Sequence, residues 1–132
     1  METTNEKNGT DGNDGTDRPT WKKTGFDAYD LAIEIARVMR PIVEQIRVYD
    51  RSLADEAKRA TQSIGLNAAE GRRRAGRDRA HAFRIALGST GEVQATVAEA
   101  EAWGYIEAES AQHALGLLDR ECAMLWRLGH RS

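Results

Sequence analysis

Apolar side chains recur every three to four residues along most of the chain after residue 24. This spacing places them on one face of an α-helix, and runs of alternating Val, Ile and Thr long enough for a strand are missing. Ala, Leu, Glu and Arg, which are good helix formers, dominate the same region, and Pro41 is its only proline. The pattern predicts an all-α protein.

Four amphipathic segments separated by short connections predict an antiparallel, up-down four-helix bundle. Pro41 falls within the first segment, where the unbroken apolar stripe favours one kinked helix over two helices. Ser52 is the expected N-cap of the second segment, and Gly104 is expected to end the third. The segments are, roughly, residues 26–48, 52–69, 77–103 and 107–129.

Two details of packing follow from the helical pattern. Gly88 and Gly91 lie inside the third segment, where glycine costs about 1 kcal/mol relative to Ala, so we expect a neighbouring helix to approach closely there. Stepping 100° per residue along the fourth segment assigns one face to the core. The core positions expected on that face are Ala111, Ala114, Leu115, Leu118, Cys122, Leu125 and Trp126.

The two parts of the chain differ in composition. Residues 1–24 are rich in Thr, Gly, Asn and Asp, with Trp21 as the only large apolar residue, and are therefore expected to form a disordered tail. Residues 25–132 are expected to form the helical domain. No apolar run approaches the roughly 18–20 residues of a membrane span, and the first residues lack the apolar core of a signal peptide.

Several chemical classes are disfavoured by composition. The 132 residues include 19 basic and 21 acidic side chains, for a net charge of −2, so a basic footprint over the whole protein is absent. The single cysteine, Cys122, permits neither an internal disulfide nor a cysteine zinc site, and the default compartment is the cytoplasm. No nucleophile, metal set or acid–base pair stands out. We therefore expect no enzyme activity, no metal, no other cofactor and no small-molecule substrate.

Charge is nevertheless unevenly distributed. Residues 71–84 hold six arginines against Asp78 alone, whereas residues 92–121 hold seven acids against Arg120. The planar guanidinium group of arginine binds phosphate through two hydrogen bonds. The same arginines could instead pair with the acidic helix of another subunit or remain a solvated surface. Aromatic residues for base stacking are missing between the arginines, so any nucleic-acid binding should be directed at the backbone. The candidate nucleic-acid-binding residues are Arg72, Arg73, Arg74, Arg77 and Arg79.

Some polar and apolar residues remain outside the core stripes. Ser63, Asn67 and Glu70 border the stripe of the second segment and need partners. We expect Glu70 to pair with an arginine and Asn67 to hydrogen-bond near Ser89, an arrangement that fixes helix register or, alternatively, builds a ligand site. A second apolar stripe on the last segment suggests contact between subunits. The candidate interface residues are Leu66, Leu117, Met124 and Leu128.

Two signatures in the sequence resemble those of one bacterial family. The stretch 63–72, SIGLNAAEGR, resembles its S-I-x-x-N-x-A-E-G motif, and 83–89, FRIALGS, resembles its second motif, an aromatic followed by I-A-x-G-S. Glu92 and the stretch 102–106, AWGYI, resemble its later positions. The family is that of the four-helix bundle proteins related to the 23S ribosomal RNA intervening-sequence protein. The resemblance covers about residues 26–129.

This resemblance implies a fold and an assembly. Members of the family form antiparallel four-helix bundles that assemble into ring-like homopentamers, and none is known as an enzyme. One member, the accessory variability determinant of diversity-generating retroelements, binds nucleic acid and a reverse transcriptase. We therefore expect an oligomeric, nucleic-acid-binding accessory protein or, as the alternative, a protein–protein adaptor or scaffold without nucleic-acid binding. The signature positions expected to be structural are Ser63, Asn67, Glu70, Gly71, Arg84, Gly88 and Ser89.

Overall fold

Four helices make up the computed structural model, which describes residues 24–130. This confirms the predicted all-α class, and the predicted bounds differ from the observed ones by a few residues. The expected disordered tail lies outside the described residues, apart from Thr24. The helices are α1 (Asp27–Tyr49), α2 (Arg51–Arg73), α3 (Gly76–Ala102) and α4 (Ala108–Gly129).

Short connections force successive helices to run antiparallel. Asp50 alone joins α1 to α2, residues 74–75 join α2 to α3, and residues 103–107 join α3 to α4. Each helix packs against its neighbours in sequence, and α4 closes the bundle against α1 through the least extensive of the four interfaces. The α2–α3 connection, the start of α1 and the end of α4 therefore share one end of the bundle, called here the α2–α3 end. The α1–α2 and α3–α4 connections share the α3–α4 end.

The tight turn between α1 and α2 depends on Asp50. Its backbone N–H donates to the Ile46 carbonyl at the end of α1 (2.8 Å), and its carboxylate accepts the Leu53 N–H at the start of α2 (2.9 Å). Asp50 is thus the N-cap, and the expectation that Ser52 would cap α2 is wrong. A carboxylate at this position also interacts favourably with the positive end of the helix dipole.

Two predictions about helix continuity are confirmed. Pro41 lies inside an uninterrupted α1, where it is exposed. Gly104 follows the end of α3 with a φ of +79°, the left-handed conformation that glycine adopts without steric cost. The core between the helices is filled mainly by large apolar side chains. Those that are fully buried are Ile35, Met39, Ile46, Ile64, Phe83, Val93, Val97, Leu118 and Leu125.

The close helix approach expected at Gly88 and Gly91 is not found. Both residues are exposed, and a Cβ at either position would have no atom within 4 Å outside its own helix backbone. Close approach occurs at Gly71 instead, where a Cβ would lie 2.6 Å from Cε1 of Phe83. Glycine inside α3 is therefore not explained by packing within one chain.

The buried face of α4 is rotated from the one expected. Leu117 is only 7% exposed and belongs to the core, whereas Cys122 is half-buried and Trp126 is 56% exposed. The difference arises from Glu121, which is completely buried. The hydrophobic periodicity leaves this charged residue out of the predicted buried face. The predicted face is therefore centred too close to the side of α4 that carries Cys122 and Trp126.

Glu121 is a carboxyl group in an apolar environment. Neither of its oxygens has a hydrogen-bond partner among the described residues, and its nearest helical turns contribute Leu118 and Leu125 to the core. Burial raises the pKa of Glu121 to about 8, against a smaller opposing effect of Arg120. The side chain is therefore mainly protonated and neutral at pH 7.

None of the four helices between residues 24 and 130 combines the length and the apolar character that crossing a membrane requires.

We expect Glu121→Gln to increase stability at alkaline pH. The folded protein holds this proton up to about pH 8, whereas the unfolded chain releases it near pH 4.5, so wild-type stability falls as the pH rises between these values. Gln cannot titrate, and the variant should be more stable by on the order of 5 kcal/mol at pH 9. Urea denaturation of both proteins at pH 4.5, 7 and 9 measures the difference. A difference in stability that did not change with pH would contradict the assignment.

Candidate nucleic-acid interface

Six arginines cluster where α2 ends and α3 begins, and we call residues 72–84 the basic turn. The last turn of α2 supplies Arg72 and Arg73, and Arg74 follows in the connection. Gly76 then starts α3 with a φ of +61°, a conformation in which glycine avoids strain. The remaining arginines, Arg77, Arg79 and Arg84, lie on the first turns of α3. The structure thus brings all five sequence-predicted arginines to the α2–α3 end.

Glu70 neutralises part of this charge. Arg73 Nη2 donates to Glu70 Oε1 and Arg74 Nε donates to Glu70 Oε2, both at 2.5 Å. The expected pairing of Glu70 with an arginine is confirmed, with partners from the end of α2 and the connection and not from α3. The hydrogen bond from Arg74 is the main reason that the pKa of Glu70 lies below its usual range.

Two further arginines lie over an aromatic pair beneath the turn. The rings of Phe26 and Phe83 stack with centroids 5.9 Å apart. The Arg72 guanidinium lies 5.7 Å from the centre of the Phe26 ring, and that of Arg79 lies 5.2 Å from the centre of the Phe83 ring. These cation–π contacts orient the two side chains while leaving their charges unneutralised.

The Asp30 carboxylate holds the backbone just before Phe26. It accepts hydrogen bonds from the N–H groups of Thr24 and Gly25 at 3.0 and 3.1 Å, and from the Thr24 hydroxyl at 2.9 Å. Gly25 meets this geometry with a φ of +86°. The start of α1 is thereby fixed against the basic turn, with the Phe26 ring in contact with Phe83.

An open groove of about 730 Å³ lies beside the first turns of α3. Ala75 precedes α3 and has no side chain that could cap its first N–H groups. Among the described residues, Arg77 is exposed and forms no ion pair. The groove therefore combines three arginines, against the single carboxylate of Asp78, with a helix N-terminus, an arrangement suited to anions. It is lined by Gly76, Arg77, Asp78, Arg79, Ala80, His81, Arg84 and Leu128.

An aromatic pair at this end of the bundle was missed by the sequence reasoning. Trp126 and His130 stack with ring centroids 4.4 Å apart and planes 13° apart. Trp126 is one of the core positions expected from the sequence, so its exposure corrects that expectation. The i, i+4 spacing of two aromatic rings on one helix was the signal available in the sequence.

The polar contact between α2 and α3 uses a different residue from the one expected. Ser89 Oγ donates to Ser63 Oγ across the two helices at 2.7 Å. Asn67 stays within α2, donating to the Ser63 carbonyl at 3.0 Å and to Ser63 Oγ at 3.1 Å. The prediction that Asn67 itself would reach Ser89 is therefore wrong. Ser63 forms the link, and Asn67 orients it.

The candidate interface residues lie in different surroundings. Leu66 is 71% exposed on α2, whereas Met124 and Leu128 are half-buried against the core. Leu117 is part of the core, which corrects its assignment to an outward-facing interface. The predicted second stripe on α4 is consequently reduced to Met124 and Leu128.

The described residues form neither a metal-ligating group nor an activated thiol. Within the described part of the chain, no three His, Cys, Asp or Glu side chains come together as a metal-ligating group. The Cys122 thiol donates to Gln94 Oε1 at 3.6 Å, and burial is the main factor that raises its pKa. A raised pKa disfavours the reactive thiolate.

Comparison with known proteins gives one family and one fold. Residues 22–127 match the family described as 23S rRNA-intervening sequence protein. A similar crystal structure is that of a protein of unknown function from the S23 ribosomal protein family of Bacteroides thetaiotaomicron. The two chains share 18% identity with a TM-score of 0.72, over 79% of this chain and 99% of that one. No curated protein matches this chain.

Gly71→Ala should destabilise the protein by about 1–3 kcal/mol, because the added methyl would overlap the buried Phe83 ring. Gly88→Ala is the matched control in the second signature. Its site is an exposed helix interior with open space, so the same change should stabilise by about 0.5–1 kcal/mol. Urea denaturation of both variants tests the pair. Equal stability of the two variants would contradict the contact.

Proposed function

The chain belongs to the 23S rRNA-intervening sequence protein family, and we propose that it is a non-enzymatic, oligomeric accessory protein that binds the phosphate backbone of RNA or DNA. The observation that carries the proposal is the open groove at the start of α3, where Arg77 is exposed and forms no ion pair among the described residues. The proposal places this activity in the cytoplasm.

The charges available to a nucleic acid are fewer than the sequence suggests. Arg73 and Arg74 share Glu70, so among the described residues the positive charge without an ion-pair partner comes from Arg72 and from the arginines of α3. One guanidinium group can donate two parallel hydrogen bonds to the oxygens of a phosphate, and the first backbone N–H groups of α3 are further donors. Because only a few phosphates can be neutralised by one chain, binding by a single copy should be weak and strongly salt-dependent.

The proposal contains no chemical step. The hydroxyl groups of Ser63 and Ser89 hydrogen-bond to each other, and burial raises the pKa of the Cys122 thiol. These contacts favour structural roles for the side chains that could otherwise act as nucleophiles.

We include assembly into a ring-like homopentamer in the proposal. The family resemblance implies this assembly, and the exposed Leu66 on α2 supplies an apolar surface for it. In a closed ring, five basic turns act together, and linked weak sites give an avidity well above that of one site. Met124 and Leu128 remain candidate interface residues with smaller exposed areas.

A protein–protein adaptor is the alternative function, and the α3–α4 end favours it. Trp103 is 69% exposed at this end, and Val48 and Tyr49 at the end of α1 are exposed as well. The Tyr49 and Tyr105 rings stack with centroids 5.1 Å apart. An exposed aromatic surface of this kind is typical of contact with another protein, such as a reverse transcriptase. The adaptor predicts a nuclease-insensitive complex that Trp103→Ala weakens and changes in the basic turn do not.

The double variant Arg72→Glu, Arg77→Glu should bind a structured RNA and a DNA duplex at least about tenfold more weakly than wild type. It replaces two contacts to phosphate with two repulsions. The slope of log K against log salt should fall by about two, one for each lost phosphate contact. Fluorescence anisotropy at low and physiological salt measures both quantities.

The matched control is Arg51→Glu, Arg59→Glu, which changes the net charge equally on exposed α2 positions outside the basic turn. This control should keep most of the wild-type affinity. If wild type shows no change in anisotropy at either salt concentration, or if the control loses as much affinity as the double variant, the proposed interface is rejected and the adaptor becomes the working function.

Leu66→Glu should prevent ring assembly, because it places a charge in the proposed apolar contact. Light scattering coupled to size exclusion should give five chains per particle for wild type and fewer for the variant. Val48→Glu, an equally exposed apolar position at the α3–α4 end, is the control and should assemble normally. A monomeric wild-type protein would overturn the pentamer.

A further inference from the structure

Trp126 is a large apolar side chain held at the surface in a defined orientation. Its ring is 56% exposed and stacks on that of His130. His130 Nδ1 donates to the Trp126 backbone carbonyl at 2.8 Å, which fixes the imidazole beside the indole. An exposed, oriented aromatic ring offers a flat surface at little further cost in side-chain entropy.

In the sequence at the end of α4, this pair flanks Gly129, a residue that packs against two lining residues of the groove. Gly129, one helical turn after Trp126, packs against α3: a Cβ there would lie 3.1 Å from Arg84 Cγ and 3.6 Å from the Ala80 carbonyl oxygen. The neighbouring Leu128 lines the groove together with Arg84. Trp126 therefore lies one helical turn, about 5 Å along α4, before the contact of Gly129 with Ala80 and Arg84, two residues that line the groove, although neither Trp126 nor His130 lines it.

Positive charge beside an exposed aromatic ring is the combination by which proteins bind unpaired nucleotides. The groove can hold the backbone phosphates, while the π-face of a base stacks on an aromatic side chain whatever its sequence. A base inside a duplex is stacked on its neighbours and cannot use such a surface without being extruded. The arrangement consequently distinguishes single strands from duplexes.

We propose that Trp126, oriented by His130, is a stacking site for an unpaired base of a single-stranded segment whose phosphates lie along Arg77 and Arg84. The inference rests on the proposed function and deepens it, because it names single-stranded or looped nucleic acid as the preferred partner. It also adds an aromatic contact to the backbone-directed binding that the sequence predicts.

The test compares an oligouridylate and an oligothymidylate with an RNA duplex of the same length. Trp126→Leu should weaken binding of the single strands about tenfold or more and change duplex binding less than twofold. Trp126→Phe should restore most of the affinity because it keeps an aromatic face. Trp103→Leu, an exposed tryptophan at the opposite end, is the matched control and should have no effect.

A spectroscopic readout is independent of affinity. In a Trp21→Phe, Trp103→Phe background, Trp126 is the only tryptophan, and its fluorescence should be quenched by the single strands and not by the duplex. The equal effect of oligouridylate and oligothymidylate would show that stacking, and not the ribose 2′-hydroxyl, carries the preference. A preference for only one of them would overturn a stacking site that ignores the sugar.

Failure of this inference can be separated from failure of the proposed function. If single strands and duplex bind equally, depend on Arg77 and ignore Trp126→Leu, the stacking site is rejected and backbone binding stands. If neither form binds at low salt, the proposed function fails as well. If Trp126→Leu changes the number of chains per particle, the Trp126 side chain lies in a contact with another copy of the chain, and the stacking site is rejected.

Discussion

Close contact between Gly71 and the Phe83 ring is the constraint on which the arrangement of the α2–α3 end depends. Phe83 is fully buried, and its ring occupies the space that any side chain at residue 71 would need. The last turn of α2 can therefore lie directly on the first turns of α3, and a connection of two residues suffices. Arginines on either side of so short a connection are necessarily neighbours. A protein interior packed this tightly transmits a change at one position to the next.

The aromatic contacts extend this constraint outward. Phe83 stacks on Phe26, which brings the start of α1 to the same place, and Arg72 and Arg79 lie over the two rings. Glu70 restrains Arg73 and Arg74. Most of the positive side chains at this end are thus oriented before any partner arrives. Preorganisation of this kind reduces the entropy lost on binding.

Periodicity alone was sufficient for the fold, because four long amphipathic segments with short connections leave few other arrangements. The buried face of α4 was predicted incorrectly, because Glu121 contradicts the rule that charges face water, and only tertiary packing shows its burial.

The candidate site was predicted less completely than the fold. The arginines could be counted in the sequence, but their neutralisation by Glu70 and their stacking on Phe26 and Phe83 depend on side-chain geometry. Ser63 and Asn67 lie one turn apart on the same helix, so periodicity could not decide which of them faces Ser89. The exposure of Trp126 depends on the rotation of α4, which the sequence had placed incorrectly.

That rotation bears on the dynamics of the bundle. The α1–α4 interface is the least extensive of the four, and α4 also carries the one buried carboxyl group that has no hydrogen-bond partner among the described residues. Local unfolding begins where burial contributes least. Of the two helices at this interface, α4 carries the buried carboxyl group, so we expect α4 to detach as a cooperative unit while α1, α2 and α3 remain folded. Ionisation of Glu121 would favour the detached form, because the carboxylate regains its hydration there. Backbone amides of α4 would then exchange with solvent faster than those of α2, increasingly so in alkaline solution.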